Sequence, residues 1–149
     1  MTSMRNATVL CIFIALSTMT LGCAGTMTSS FKYNDNLRLN EPQKGESCYD
    51  ASVLLGVDLK RGMDIAKKVI SGLDATINKE TENSIEAQRN RHIGLFIGSG
   101  GEELVIELKK IDDTKTFVTA ATKTGFVGGA GQKPWSCEIV DQMVKMASK

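Results

Sequence analysis

The stretch ELVIELKKIDDTKTFVTAATK, residues 103–123, decides the fold class. In its first half Leu104, Ile106 and Leu108 alternate with Val105 and Glu107, which is the period of a strand with one buried face. Residues 112–115, Asp-Asp-Thr-Lys, have the composition of a turn, and residues 116–123 alternate again. Two strands joined by so short a turn pair in antiparallel fashion.

The segments around this hairpin complete a two-layer domain. Further strands are predicted at residues 52–57, 75–81 and 84–91. Asp58 is placed to cap a helix, and a second helix is predicted to begin near Ser136. Their apolar stripes are Leu59, Met63, Ala66, Ile70 and Leu73 in the first helix, and Ile139, Val140, Met143, Val144 and Ala147 in the second. We therefore predict an α+β domain at residues 48–149, an antiparallel sheet of four to five strands with two amphipathic helices on one face.

Residues 1–22 have the features of a secretory signal peptide. Arg5 precedes a mostly apolar stretch that is shorter than the roughly 20 residues of a spanning helix. The stretch ends in Thr20-Leu21-Gly22-Cys23, which resembles the lipobox of bacterial lipoproteins, although Thr20 and Leu21 depart from its preferred order. The resemblance implies cleavage before Cys23 and a diacylglycerol on its sulfur. An ordinary cleaved signal and an uncleaved anchor are the alternatives.

Ala24 predicts the membrane in which the protein is anchored, and the segment after it predicts a tether. Ala24 replaces the aspartate that retains many lipoproteins of this class in the inner membrane, so the resemblance implies the outer membrane, facing the periplasm. Residues 23–47 show no sustained period and are predicted to be a lipidated, flexible tether. The alternative is that Phe31, Tyr33, Leu37 and Leu39 dock on the domain.

Charge and cysteine content narrow the class of partner and compartment. The full chain has a net charge of +1, and loss of the leader removes Arg5 and no acid, so the mature chain is neutral overall. That balance argues against nucleic acid as a partner. Cys48 and Cys137 are candidates for one disulfide in an oxidising compartment, and two free thiols are the alternative.

Two glycine-rich loops are the candidate interaction sites. Residues 94–101 and 125–131 mix glycine with bulky apolar residues, and neither has the lysine and hydroxyl residue of a phosphate loop. In one interpretation they are hairpin connections that pack under the helices. In the other they expose a patch that contacts a partner or lipid, formed by Leu95, Phe96, Ile97, Phe126 and Val127.

A second resemblance covers about residues 52–147. This part of the chain is similar to a group of small Gram-negative envelope lipoproteins, which share a domain of unknown function. The motifs that carry the similarity are IEAQR at 85–89, IGLFIGSGGE at 93–102, TGFVG at 124–128 and GQKPW at 131–135. The resemblance implies a location and a fold but no activity.

Catalytic and metal-binding hypotheses depend on His92, the only histidine. No second ligand lies at short spacing from it, and it stands in a charged stretch typical of a solvated turn. We therefore expect neither an enzyme nor a cofactor. The prediction is a membrane-anchored envelope lipoprotein that binds another envelope component. A structural or stress-related lipoprotein is the alternative, and a small periplasmic hydrolase is the more distant one.

Overall fold

A computed structural model describes residues 28–93, 98–124 and 132–149. Six strands form one antiparallel sheet, two short strands form a separate ribbon, and two helices complete the described fold. The sheet strands are β1 (Gln43–Lys44), β2 (Asp50–Leu55), β3 (Ala75–Glu80), β4 (Ser84–Arg89), β7 (Glu103–Lys110) and β8 (Thr116–Lys123); the ribbon is β5 (His92–Ile93) and β6 (Gly98–Ser99); the helices are α1 (Leu59–Gly72) and α2 (Ser136–Ala147). The order across the sheet is β1-β2-β8-β7-β4-β3.

The predicted hairpin of β7 and β8 is present, and it lies at the centre of the sheet. Its strands pair in register from Glu103 with Lys123 to Lys110 with Thr116. The turn closes through the backbone N–H of Ile111, which donates to the Lys115 carbonyl at 3.0 Å. The α+β class, the antiparallel sheet and the two helices are confirmed.

The predicted count of four to five strands was wrong, because the sheet has six. The additional strand is β1, whose Gln43 and Lys44 pair with Ser52 and Ala51. It lies inside the segment predicted to be a tether. A two-residue edge strand carries too few side chains to show a period of two, so its pattern could not be recognised.

Helix α1 begins where its capping residue predicts. The Asp58 carboxylate accepts from the backbone N–H of Arg61 at 2.8 Å. Gly62 lies inside the helix and is buried, and a Cβ there would lie 3.0 Å from the Leu108 side chain. The helix ends at Gly72, and the left-handed residue after it is Asp74, with φ 54°.

Both helices pack against the same face of the sheet and against each other. Alternate residues of four strands meet them there. The side chains that are less than 2% exposed in this core include Val53, Leu55, Ile70, Ile85, Leu104, Ile106, Val118, Ile139, Val140 and Met143. This face is called the helix face below.

An N-terminal strap, residues 29–42, contacts the other face of the sheet and then the free edge of β2. The Tyr33 ring packs edge-on against Phe117, with 5.8 Å between the ring centroids, and Leu39 forms a parallel bridge with Leu54. Tyr33 and Leu39 therefore contact the domain, which is the alternative to a flexible tether at these two positions. Because the strap covers one face and the helices cover the other, β8 is buried from Thr116 to Thr122.

The remaining predictions at the N-terminus and in the loops fall outside the described residues. These are the leader, the Cys23 lipidation site and the loop residues Leu95, Phe96, Ile97, Phe126 and Val127. Within the described ranges, no helix combines the length and apolar character needed to cross a bilayer.

Candidate functional site

Both glycine-rich loops leave the sheet at the same end. Strand β7 starts at Glu103, strand β8 stops at Lys123, and these two residues are paired neighbours. The segment before Glu103 and the segment after Lys123 therefore emerge side by side. We call this edge of the domain the loop end, and Leu55 and Thr116 mark the opposite end.

The base of the first loop requires glycine at two positions. Gly100 and Gly101 have φ angles of +90° and +87°, which side chains rarely adopt. A Cβ on Gly100 would lie 1.9 Å from the Asn90 carbonyl oxygen, and one on Gly101 would lie 2.7 Å from Arg91 Nε. These glycines therefore permit the returning chain to pass tightly against the residues that follow β4.

The residue that follows Gly101, Glu102, carries a buried carboxylate. Glu102 has no exposed surface, and its Oε1 accepts from the Trp135 indole N–H and from the Lys133 backbone N–H, both at 3.2 Å. Its Oε2 lies 3.7 Å from a guanidinium nitrogen of Arg89, which is ion-pair distance without a hydrogen bond. Arg89 also donates from Nε to the Leu73 carbonyl at 2.8 Å. Glu102 thereby links the first loop, strand β4 and the start of α2.

The Trp135 ring is contacted by two cations. The Arg89 guanidinium carbon lies 4.2 Å from the ring centroid and the Lys133 ammonium lies 3.9 Å from it. The side-chain amide of Gln132 donates to the Gly100 carbonyl at 2.9 Å, which joins the second loop to the first. The loop bases are thus bound to each other within the described residues.

The disulfide and two hydroxyls hold the first turn of α2 at this end. The Cys48 and Cys137 sulfurs are bonded at 2.02 Å, so the candidate pairing is present. The Ser136 hydroxyl donates to the Tyr49 carbonyl and contacts the Thr122 hydroxyl at 2.8 Å. Since the bond occupies both sulfurs, neither thiol is free to combine with His92 as a nucleophile or zinc ligand.

His92 belongs to a polar cluster on the surface of the loop end. Its Nε2 contacts the Asp74 carboxylate, which also accepts from the Asn90 side-chain amide at 2.8 Å. These two hydrogen bonds, with that to His92 the larger effect, lower the pKa of Asp74. Thr76 donates to Asn90 at 2.9 Å. The cluster holds the start of the β5–β6 ribbon against the end of α1.

Two open grooves lie away from the loop end. One of about 630 Å³ runs between the strap and the sheet, where Phe31, Tyr33 and Phe117 form its apolar lining. The other, of about 650 Å³, lies beside α1, where Lys67 is already paired with Glu80 at 2.7 Å. Within the described ranges, no three histidine, cysteine or acidic side chains converge as a metal site would require.

The sequence patterns do not by themselves predict the pair of Arg89 and Glu102. Arg89 lies on the same face of β4 as Ile85 and Ala87, and a charged residue on an apolar face is a signal for a buried partner. Glu102 directly follows the first glycine-rich loop. Because the partners are separated along the chain, their pairing requires the register of β4 with β7.

No protein family model and no curated protein matches this chain. The candidate site is therefore assigned from the geometry of its own residues. That geometry is a set of contacts at the bases of the two loops, made by Arg89, Glu102, Gln132, Lys133 and Trp135.

Proposed function

We propose that this chain is a lipid-anchored envelope protein, without catalytic activity, that binds another envelope component through the loop end of its domain. The anchor is lipid on Cys23, and the location is the outer membrane facing the periplasm. The support for the anchor is the leader with its lipobox-like end. The Cys48–Cys137 disulfide is in keeping with an oxidising compartment.

The observation that carries the binding proposal is the junction between the two loop bases. Gln132 joins Gly100, and Trp135 joins Glu102, so residues far apart in sequence support one surface. A buried carboxylate is costly to keep unless several partners hold it. Here it orders the base of loops whose own residues include Phe96, Ile97, Phe126 and Val127.

The anchor is tested by the mass of the protein purified from cells. We expect acyl mass on the chain that starts at Cys23, and we expect the protein in the membrane fraction. Cys23→Ala should give a protein that no longer sediments with membranes. A bare Cys23 sulfur on membrane-associated wild-type protein would overturn the proposed anchor.

The binding surface is tested by crosslinking in intact envelopes. Phe96→Asp and Phe126→Asp should abolish the crosslinked product while the disulfide and the circular dichroism spectrum are retained. Leu39→Asp is the matched control, because Leu39 is an apolar residue, 49% exposed, near the opposite end of the sheet. An unchanged product in both loop variants contradicts the proposal, and loss of folding would place these loop residues in the core instead.

A further inference from the structure

The N-terminal strap consists of two parts that are held to the sheet in different ways. In the second part, the Asn40 backbone N–H donates to the Leu54 carbonyl at 2.7 Å, and Leu39 forms its bridge with the same residue. In the first part, residues 29–36, the contacts with the sheet are made through side chains. Within the described ranges, no backbone-to-backbone hydrogen bond joins these eight residues to a strand. The first part can therefore leave the sheet without breaking any strand pairing.

The first part is attached mainly at its start, by the carboxylate of Asp50. The hydroxyls of Ser29 and Ser30 both donate to this carboxylate, and the Ser30 backbone N–H donates to it at 2.7 Å. Farther along, the Tyr33 ring contacts Phe117 edge-on. The hydrogen bonds of Ser30 are exposed to solvent. Because water competes for these groups, each bond adds only a modest net free energy to the closed state.

A buried hydroxyl on the same sheet face opposes closure. Ser52 follows Asp50 by two residues on β2, so both side chains lie on the face that the first part covers. Ser52 has no exposed surface, and its Oγ has no hydrogen-bond partner among the described residues. By contrast, the buried Thr116 hydroxyl donates to the Val57 carbonyl at 2.9 Å. Because a buried hydroxyl without a partner costs free energy that hydration recovers, Ser52 favours opening.

The first part also leaves space between itself and the sheet. The open groove of about 630 Å³ is lined by Phe31 and Tyr33 from the strap and by Glu107 and Thr119 from the sheet. Protein cores, by comparison, contain few voids larger than a water molecule. Close packing therefore does not fix the closed position of the first part along its whole length.

We propose that residues 29–36 form a latch that opens and closes on the sheet while the helix face stays folded. Opening hydrates Ser52 and adds eight residues to the free chain ahead of Leu39, which lengthens its maximum span by about 26 Å. With the proposed lipid on Cys23, the latch sets how far the domain can stand from the bilayer. That consequence rests on the proposed anchor, whereas the opening itself does not.

Native-state thiol labelling measures the opening. In full-length protein purified from cells, Ser52→Cys places a thiol under the latch, and Val53→Cys places one on the helix face, where the wild-type side chain is 1% exposed. We expect iodoacetamide to modify the Ser52→Cys variant at least about 100-fold faster, because local opening exposes its thiol and only global unfolding exposes the other. Low urea should accelerate only the Val53→Cys reaction, since global unfolding exposes far more surface.

A substitution of Asp50 tests what holds the latch closed. Asp50→Ala removes the acceptor of Ser29 and Ser30, so labelling of the Ser52→Cys thiol should accelerate about tenfold. Glu46→Ala is the matched control, because Glu46 is an exposed acid in the turn between β1 and β2, and its removal should leave the rate unchanged. Circular dichroism and the mass of the disulfide-linked peptides verify that each variant is folded.

Trypsin cleavage after Lys32 provides a measurement on the wild-type protein. Lys32 lies in the middle of the latch, and a protease requires several residues of released chain around the cleaved bond. We expect cleavage there in protein whose circular dichroism spectrum and disulfide are intact.

The outcomes separate the latch from the anchor. Equal labelling rates at positions 52 and 53, both accelerated by urea, overturn the latch, because this sheet face would then open only with the whole domain. Resistance of Lys32 to trypsin until the domain unfolds also overturns it. An unchanged rate in Asp50→Ala contradicts the role of Asp50 in closure. Iodoacetamide found on Cys23 by peptide mapping contradicts the proposed lipid and leaves the latch unaffected.

Discussion

The two faces of the sheet are covered by different means. On the helix face, α1 and α2 bury alternate side chains of four strands, and the Cys48–Cys137 bond ties the start of α2 to the chain before β2. On the other face, one extended strap contributes a single aromatic contact, a bridge and the polar contacts of Asp50. The difference predicts that the helix face supplies most of the stability and that the strap supplies less.

The largest expected effect tests the covalent closure of the helix face. The disulfide joins residues 89 positions apart, and a loop of that size is worth about 4–5 kcal/mol in the chain-entropy model. The double variant Cys48→Ser/Cys137→Ser should lose that much free energy of unfolding in urea. Wild-type protein treated with reductant is the control and should match the variant. Equal stability of oxidised and reduced wild type would contradict the prediction.

Removing the buried carboxylate of Glu102 should also have a large effect. Glu102→Ala leaves Arg89 and the Trp135 indole N–H without their carboxylate partner, at a cost of about 3 kcal/mol. Glu103→Ala is the matched control, because its exposed pair with Lys123 is worth at most about 1 kcal/mol. Urea unfolding measures both variants. If the neighbouring substitutions cost the same, the carboxylate of Glu102 does not act as a buried link.

The comparison of the two faces is tested directly on β7. Ile106 is fully buried on the helix face, whereas its neighbour Val105 points to the other face and is only half-buried. Ile106→Ala should cost about 2–5 kcal/mol. Val105→Ala should cost less than about 1 kcal/mol, because less apolar area leaves water there. Equal losses in thermal or urea unfolding would mean that the strap side is also a packed core.

The helix face is the part of the fold that local patterns predict. The period of α1, the Asp58 cap and the stripe of α2 each depend on residues within a few turns. The strap has no such period, because an extended segment is held here by contacts with distant residues, as between Tyr33 and Phe117. Strand β1 pairs with the nearby β2, but its two residues are too few to show a period.

The candidate site likewise has one part that composition indicates and another part that depends on contacts between distant residues. Composition alone indicated the two loops and the pairing of Cys48 with Cys137 as an alternative to free thiols. The link from Glu102 to Trp135 joins positions 33 residues apart and depends on the strand order. The φ angles at Gly100 and Gly101 show why glycine is needed, which a glycine count does not.

A smaller effect is expected when the strap loses its aromatic contact. Tyr33→Ala removes the edge-on contact with Phe117 and the cation–π contact with the Lys109 ammonium, which lies 6.0 Å from the ring centroid. Together these contacts are worth about 1 kcal/mol. Protease cleavage within the strap should accelerate more than global unfolding does, because the helix face remains closed. Tyr49→Ala, at a 45% exposed tyrosine, is the control. Unchanged cleavage of the Tyr33 variant would show that other contacts hold the strap.

The smallest expected effect depends on pH and concerns Asp74, which follows the end of α1. Hydrogen bonds from His92 and Asn90 lower the pKa of Asp74 in the folded protein. A carboxylate with a lowered folded-state pKa adds stability above its unfolded pKa, about 3.9, and loses it as the pH falls through the folded value. Asp74→Asn keeps a residue that tolerates the left-handed φ of 54°. In urea unfolding the variant should be slightly less stable than wild type at neutral pH, and the gap should close at acidic pH. A gap that persists or widens in acid would show that the Asp74 side chain contributes by something other than its charge.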